Sequence, residues 1–218
     1  MNFLQRALLG ALLSQEETPR IVDSSTATYT VLPGTFDLPR RRESGILLLV
    51  FIFGNTDAGY ALPSGWTSLA LTTTNNTMRI AYRFCDGSEA STISIAQISG
   101  GNNTGVICLS IANAVSNRPP VISANVSGTV ISTIDPAVVT MTVPFGSPLF
   151  ISFVATGVVT VTQYPIGFST RNLFSVAPTN FVGYLVAENI GLGAMDPGAW
   201  TFSATGTLST FTIGIPGQ

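Results

Sequence analysis

The chain contains no histidine and no lysine; its nine cations are all arginines, set against eleven acidic residues for a net charge of −2. Without histidine there is no imidazole general base and no histidine-based triad. Without a basic excess there is nothing to neutralise a run of phosphates, so no nucleic-acid partner is expected. Charged residues make up only 9% of the chain, against roughly a quarter in an ordinary soluble domain. Long apolar runs are missing too. The longest, 46–53, has strand length, well short of the roughly 20 residues of a membrane-spanning helix, and no membrane partner is expected. Two cysteines, Cys85 and Cys108, are too few for a disulfide scaffold. Both fall in predicted strands, where a buried thiol is favoured over a bridge. No Cys-x-x-Cys or Cys/His cluster suggests zinc, and no cofactor is expected.

What the chain does have is 45% hydrophobic residues and a polar remainder dominated by Ser, Thr, Asn and Gly, a composition that suits strands and turns. Strands are predicted over 26–32, 46–53, 66–73, 77–85, 91–98 and 105–113. A second series follows over 121–126, 137–143, 148–155, 158–162, 181–188, 199–204 and 209–215. Asn75-Asn76 between two runs suits a hairpin turn, since Asn tolerates positive φ. Many short strands at regular spacing indicate a sandwich or barrel. At the N-terminus, Phe3, Leu4, Ala7, Leu8, Ala11 and Leu12 follow helical spacing behind a capping Asn2, predicting a short apolar helix over 3–13 and a polar linker to residue 20. Gly10 interrupts the apolar stretch and no small-residue cleavage site follows, so this segment is expected to be a mature N-terminal arm rather than a signal peptide, either docking on a partner or folded back on its own sandwich. A helix this short needs either its own domain or a partner to pack on.

The two halves look duplicated. The run 46–53 corresponds to 148–155, and Pro63, Gly65 and Trp66 correspond to Pro165, Gly167 and Phe168 at an offset of 102. Tyr82 and Tyr184 keep that offset, as do Leu109 and Ile111 with Phe211 and Ile213. Thr92-Ile93-Ser94-Ile95 resembles Ala199-Trp200-Thr201-Phe202. The expected organisation is an arm and linker over 1–22 and a β-sandwich over 23–218, with halves at about 26–114 and 121–218.

Chemistry-bearing constellations are sparse. A glycosidase needs two facing carboxylates, but most of the acids lie in turns, where Asp is favoured for backbone reasons, and no enzyme activity is expected. Asp86-Gly87-Ser88-Glu89, together with Asp57, could offer oxygen ligands to Ca²⁺, but the spacing matches no dense ligand motif and a plain turn is favoured. Arg40, Arg41 and Arg42 form the one charge run, in a loop. They could grip an acidic surface on a partner subunit or simply keep a loop tip solvated. Trp66, Trp200, Tyr60, Tyr164 and Phe168 could stack a glycan. A core role is favoured for Trp66 and Phe168, and Tyr60 and Tyr164 are expected to be freer for exposure.

Leu47-Leu48-Leu49-Val50, Leu62-Pro63-Ser64-Gly65-Trp66-Thr67 and Ala81-Tyr82-Arg83 with Asp86-Gly87 and Glu89 together resemble a pattern in tailed-phage virion structural proteins of the β-sandwich type, which serve as capsid decoration or cement, head-fibre or tail-associated proteins. The resemblance runs from about Thr26 to the C-terminus, more loosely in the second half. Glu43-Ser44-Gly45 departs from the Gly-Asp that such proteins carry before the apolar strand. The resemblance implies an all-β, jelly-roll-like sandwich located in a virion. It also implies contacts with a major capsid protein or other virion proteins as a homo-oligomer, with a receptor- or glycan-binding tail module as the alternative. The residues expected to meet a partner are Phe3, Leu4, Leu8 and Leu12 of the arm and Arg40, Arg41 and Arg42.

Overall fold

The computed structural model describes residues 18–30, 32–54, 59–73, 77–97, 103–141, 147–157, 159–168, 174–177, 181–189 and 193–217, and among them every regular element is a strand. The first half supplies β1 (Arg20–Tyr29), β2 (Gly34–Asp37), β3 (Leu47–Gly54), β4 (Tyr60–Ala61), β5 (Thr67–Thr72), β6 (Thr77–Phe84), β7 (Thr92–Gln97) and β8 (Thr104–Ala112). The second supplies β9 (Val121–Ile122), β10 (Val126–Ile134), β11 (Val139–Thr140), β12 (Leu149–Gly157), β13 (Val161–Gln163), β14 (Phe174–Val176), β15 (Phe181–Asn189), β16 (Ala194–Met195) and β17 (Trp200–Ile215).

Two antiparallel sheets carry the fold. One has the order β1-β8-β3-β6-β5, and the other follows β10-β17-β12-β15-β14. Along these five-strand paths the connectivity is the same in both halves, and in the second β9 and β13 also pair with β17. A smaller sheet, β2-β7-β4, covers the outer face of the first. In the second half the same covering layer comes from the far ends of longer strands: residues 131–134 of β10 and 200–202 of β17, joined by β13. The strand pair β11-β16 adds a last flap over Phe150.

The central strands explain their own sequences. β3, β8 and β12 are buried on both faces over nearly their whole length, so they are continuous apolar runs rather than alternating ones. Odd-numbered residues of β3 and β12 point into the space between the two large sheets, where Phe51 and Phe153 meet at 4.8 Å between ring centroids. Even-numbered residues point outward into separate cores. Leu48, Val50 and Ile52 pack under the small sheet with Phe36, Tyr60 and Ile95, whereas Val154 packs with Trp200, Phe202 and Leu208. Burying each of these large apolar side chains stabilises the fold by about 1.5–3 kcal/mol before entropy is counted.

Several sequence expectations shift. β1 begins at Arg20 rather than Thr26, inside what was expected to be a linker, because its first residues pair with Ile111 and Ala112. The runs at 199–204 and 209–215 are one 16-residue strand. Residues 123–125 separate β9 from β10, and within the described part of the expected strand 137–143 the strand is β11. The expected helix over 3–13 and the Asn75-Asn76 turn lie outside the described residues, although Thr72 and Met78 flank that turn as antiparallel partners. The repeat also has a different register from the one predicted. Tyr82 pairs with Leu49 and faces the central core, whereas Tyr184 pairs with Val154 and faces the outer one. They are therefore not equivalent, since an odd slip turns a strand over. Leu109 pairs with Leu49, and the residue opposite Ile151, which is Leu49 plus 102, is Ile213 rather than Phe211. That slip is even, so the face survives.

Candidate functional site

The Arg40–Arg42 loop is tied down by the fold. The Asp23 carboxylate on β1 accepts from the backbone N–H of Ser24 at 2.8 Å, of Arg40 at 2.6 Å and of Arg41 at 3.2 Å. Burial alone would raise its pKa, but these amides outweigh it and hold the carboxyl below its ordinary value. Ser110 Oγ donates to the Arg41 carbonyl at 2.6 Å. Of the three guanidinium groups, Arg41 pairs with Glu43 and Arg42 turns back to donate to the carbonyls of Pro39 and Leu38. Arg40 is exposed beside Asp23. The run therefore offers a partner one outward cation, Arg40, with two more engaged in their own loop. Phe3, Leu4, Leu8 and Leu12 lie outside the described residues. The chain following them is anchored: Asn113 Nδ2 donates to the Thr18 carbonyl at 3.3 Å, and Pro19 packs closely against Gly217.

The motif residues at 62–67 and 81–89 converge on one place. Ser64-Gly65 turns the chain into β5, with Gly65 at φ +87°, a conformation that glycine adopts without strain. The far end of β6 brings Arg83 over that turn, so close that a Cβ on Gly65 would stand 3.0 Å from Nη1. Arg83 Nη2 meets Glu89 Oε1 at 3.1 Å. The same Glu89 carboxylate accepts from the Asp86 and Gly87 amides, both at 3.0 Å, and Asp86 Oδ1 accepts from Ser88 N and Oγ. The loop is thus closed by its own carboxylates. Among the described residues no group of three or more Cys, Asp or Glu could hold a metal ion, and Asp57, the other residue considered for Ca²⁺, lies outside them.

Beside this latch is a cleft of about 210 Å³, walled by Trp66, Pro63, Arg83, Glu89, Thr92 and Ser94. Trp66 is half-buried at its rim, packed on the outer core. The other aromatic candidates are turned inward. Tyr60 is fully buried, its hydroxyl 3.3 Å from Thr104 Oγ1, and burial pushes its pKa up to about 12. The expectation of an exposed Tyr60 is therefore corrected: β4 pairs with β7 and drops the ring into the outer core. Trp200 is fully buried, donating from Nε1 to Ser152 Oγ at 2.9 Å, with Tyr164 edge-on at 5.9 Å. Both cysteines are free and buried. Burial raises the Cys85 thiol to about 12, helped by Glu89, and raises Cys108 as well. The Arg83–Glu89 pair was not among the sequence candidates. Its signal was the spacing itself, a strand-end Arg followed six residues later by a Glu across an Asp-Gly turn. No protein-family model, curated protein or solved structure matches the chain.

Proposed function

We propose that this chain is a structural protein of a phage virion, a decoration or cement protein that works through contacts with the major capsid protein or other virion proteins, as a homo-oligomer. The observation that carries this reading is how the few charges are used. Asp23 is bound to the amides of the Arg40–Arg41 loop, and Glu43, Asp86 and Glu89 to their own loops or to a neighbouring Arg. Ser and Thr are the commonest exposed residues among those described, with scattered charges such as Asp37, Arg118, Asp135 and Asp196 and isolated apolar side chains: Val130 is 77% exposed and Ile166 75%. Such a surface gives little long-range repulsion between copies and suits lasting contact rather than steering a charged ligand.

The resemblance to tailed-phage proteins supports the same reading, and so does the strand order. In each half the first, eighth, third and sixth strands form one layer; in the first half the second, seventh and fourth form the other, and in the second half the second and seventh pair as β11-β16 while the fourth, β13, joins β17. We take each half to be one jelly roll, with the fifth strand moved to the edge of the first layer. Jelly rolls recur in viral capsid and lectin domains, which is an argument by analogy of fold.

The test is the solution mass of the full chain together with its co-sedimentation with phage capsids. A defined oligomer that binds capsids, and that loses binding when residues 1–17 are removed, is the expected result. A monomer indifferent to capsids overturns the proposal. The cut falls before Thr18 because β1 begins at Arg20.

A further inference from the structure

Both halves carry a Pro-x-Gly-aromatic turn with its glycine at positive φ, yet different chemistry closes the two turns. Where Gly65 lies against the Arg83 guanidinium, Gly167 lies against Met195 Cε, 3.1 Å from a Cβ built on it. The second half thus forms the same turn with a thioether, and the turn itself does not require a charged pair. The first half keeps one all the same, with the Glu89 side chain 2% exposed and that of Arg83 28% exposed. The Asp86 and Gly87 amides account for the buried Glu89 carboxylate; what the turn does not require is the partly exposed guanidinium drawn over it, with donors left facing the cleft.

The cleft gives that guanidinium a role. Glu89 fixes the guanidinium and cancels its charge. Arg83 has five N–H donors, and the contact with Glu89 uses Nη2. Around it the cleft combines an indole and a proline ring with the hydroxyl-bearing residues Ser64, Thr92 and Ser94. An apolar aromatic wall beside a charge-neutral set of donors and acceptors matches a ligand with one C–H face and a rim of hydroxyls. We infer that this cleft binds a neutral carbohydrate ring, stacked on Trp66 and hydrogen-bonded by Arg83 and the hydroxyls of the wall. At about 210 Å³ it lies below the roughly 300–1,000 Å³ of sites for drug-sized ligands, so it takes a single ring rather than a longer chain. The inference stands independently of whether the chain belongs to a virion.

The experiment is saturation-transfer NMR on the full chain against glucose, galactose, mannose and N-acetylglucosamine, with glucuronate and N-acetylneuraminate as charged comparators. At least one neutral sugar should give a signal, strongest at its ring C–H protons. Ser94 is exposed on the wall, so Ser94→Trp should fill the cleft and abolish the signal without changing the melting temperature. Arg83→Gln should weaken binding at least tenfold. The inference is overturned if no neutral sugar gives a signal, if only the acidic sugars do, or if Ser94→Trp, shown to be folded by circular dichroism, binds as well as the parent.

Discussion

Phe53 sits between two glycines contributed by the two facing sheets. A Cβ on Gly105 of β8 would stand 2.4 Å from its Cζ, and one on Gly183 of β15 would stand 2.3 Å from the same atom. Neither glycine has positive φ, so alanine fits the backbone at both positions and the conflict is purely one of space. In Gly183→Ala the ring cannot slide away, because Gly105 blocks one side and Phe153 stands 5.5 Å off. Overpacking of this kind costs about 1–3 kcal/mol, equivalent to a fall of about 2–12 °C in melting temperature for a chain of this size. Urea unfolding followed by tryptophan fluorescence would measure it. The decisive comparison is Gly183→Ala in a Phe53→Leu background, where the smaller side chain makes room and most of the penalty should vanish, a coupling of about 0.5–3 kcal/mol. Gly157→Ala is the control: nothing lies within 4 Å of its Cβ, and it should stabilise by about 0.4–1 kcal/mol through the unfolded state. If Gly183→Ala is as stable as the parent, or loses as much in the Phe53→Leu background as in the parent chain, the two sheets do not close on that ring as described.

Asp23→Asn should weaken the fold at neutral pH and flatten its acid limb. A carboxyl held below its ordinary value contributes stability that is complete above the unfolded pKa of about 3.9 and is lost as pH falls through the lower folded value. Melting curves of parent and variant should therefore converge in acid, and a gap as wide at pH 2.5 as at pH 7 would refute the assignment. Cys85 and Cys108 should resist a thiol-specific chromogenic reagent at pH 8 in the folded chain and both react after denaturation, since burial keeps them protonated. Rapid labelling of either in the folded state would contradict that. Trp200→Phe strands Ser152 Oγ in a fully buried site and should cost about 1–3 kcal/mol beyond the loss of ring contacts. Pairing it with Ser152→Ala should recover part of this in an unfolding titration, and full additivity would argue against the hydrogen bond.

The sequence displayed its long strands because strands buried on both faces leave unbroken apolar runs, as at 46–53 and 148–155. It displayed the two Pro-x-Gly turns because only glycine takes that backbone without strain. It concealed β4 and β16, two residues each, for which no period exists to be counted. It misled at Tyr82 and Tyr184, where a shared offset concealed a shift of an odd number of residues between the halves. It also misled at Tyr60, whose burial depends on a two-residue pairing with β7. The Arg run looked uniformly available, but backbone carbonyls at Leu38 and Pro39 and the carboxylate of Glu43 engage two of its three side chains, and that is a matter of loop path rather than of composition.

A chain that writes one connectivity twice faces a hazard during folding, because each central strand has a counterpart that could take its place. β12 inserted into the first sheet would bring similar apolar residues to the same central space. It would also bring Ser152 to the position of Val50, opposite Cys108 and Ala81 and away from the one indole that satisfies it in its own sheet. An orphaned buried hydroxyl costs about 1–3 kcal/mol, and mispairing between similar units is a characteristic failure of repeated architectures. The Ser152–Trp200 bond thus acts as an address on β12, a strand that hydrophobicity alone would leave interchangeable with β3: it is made in the second sheet and lost in the first.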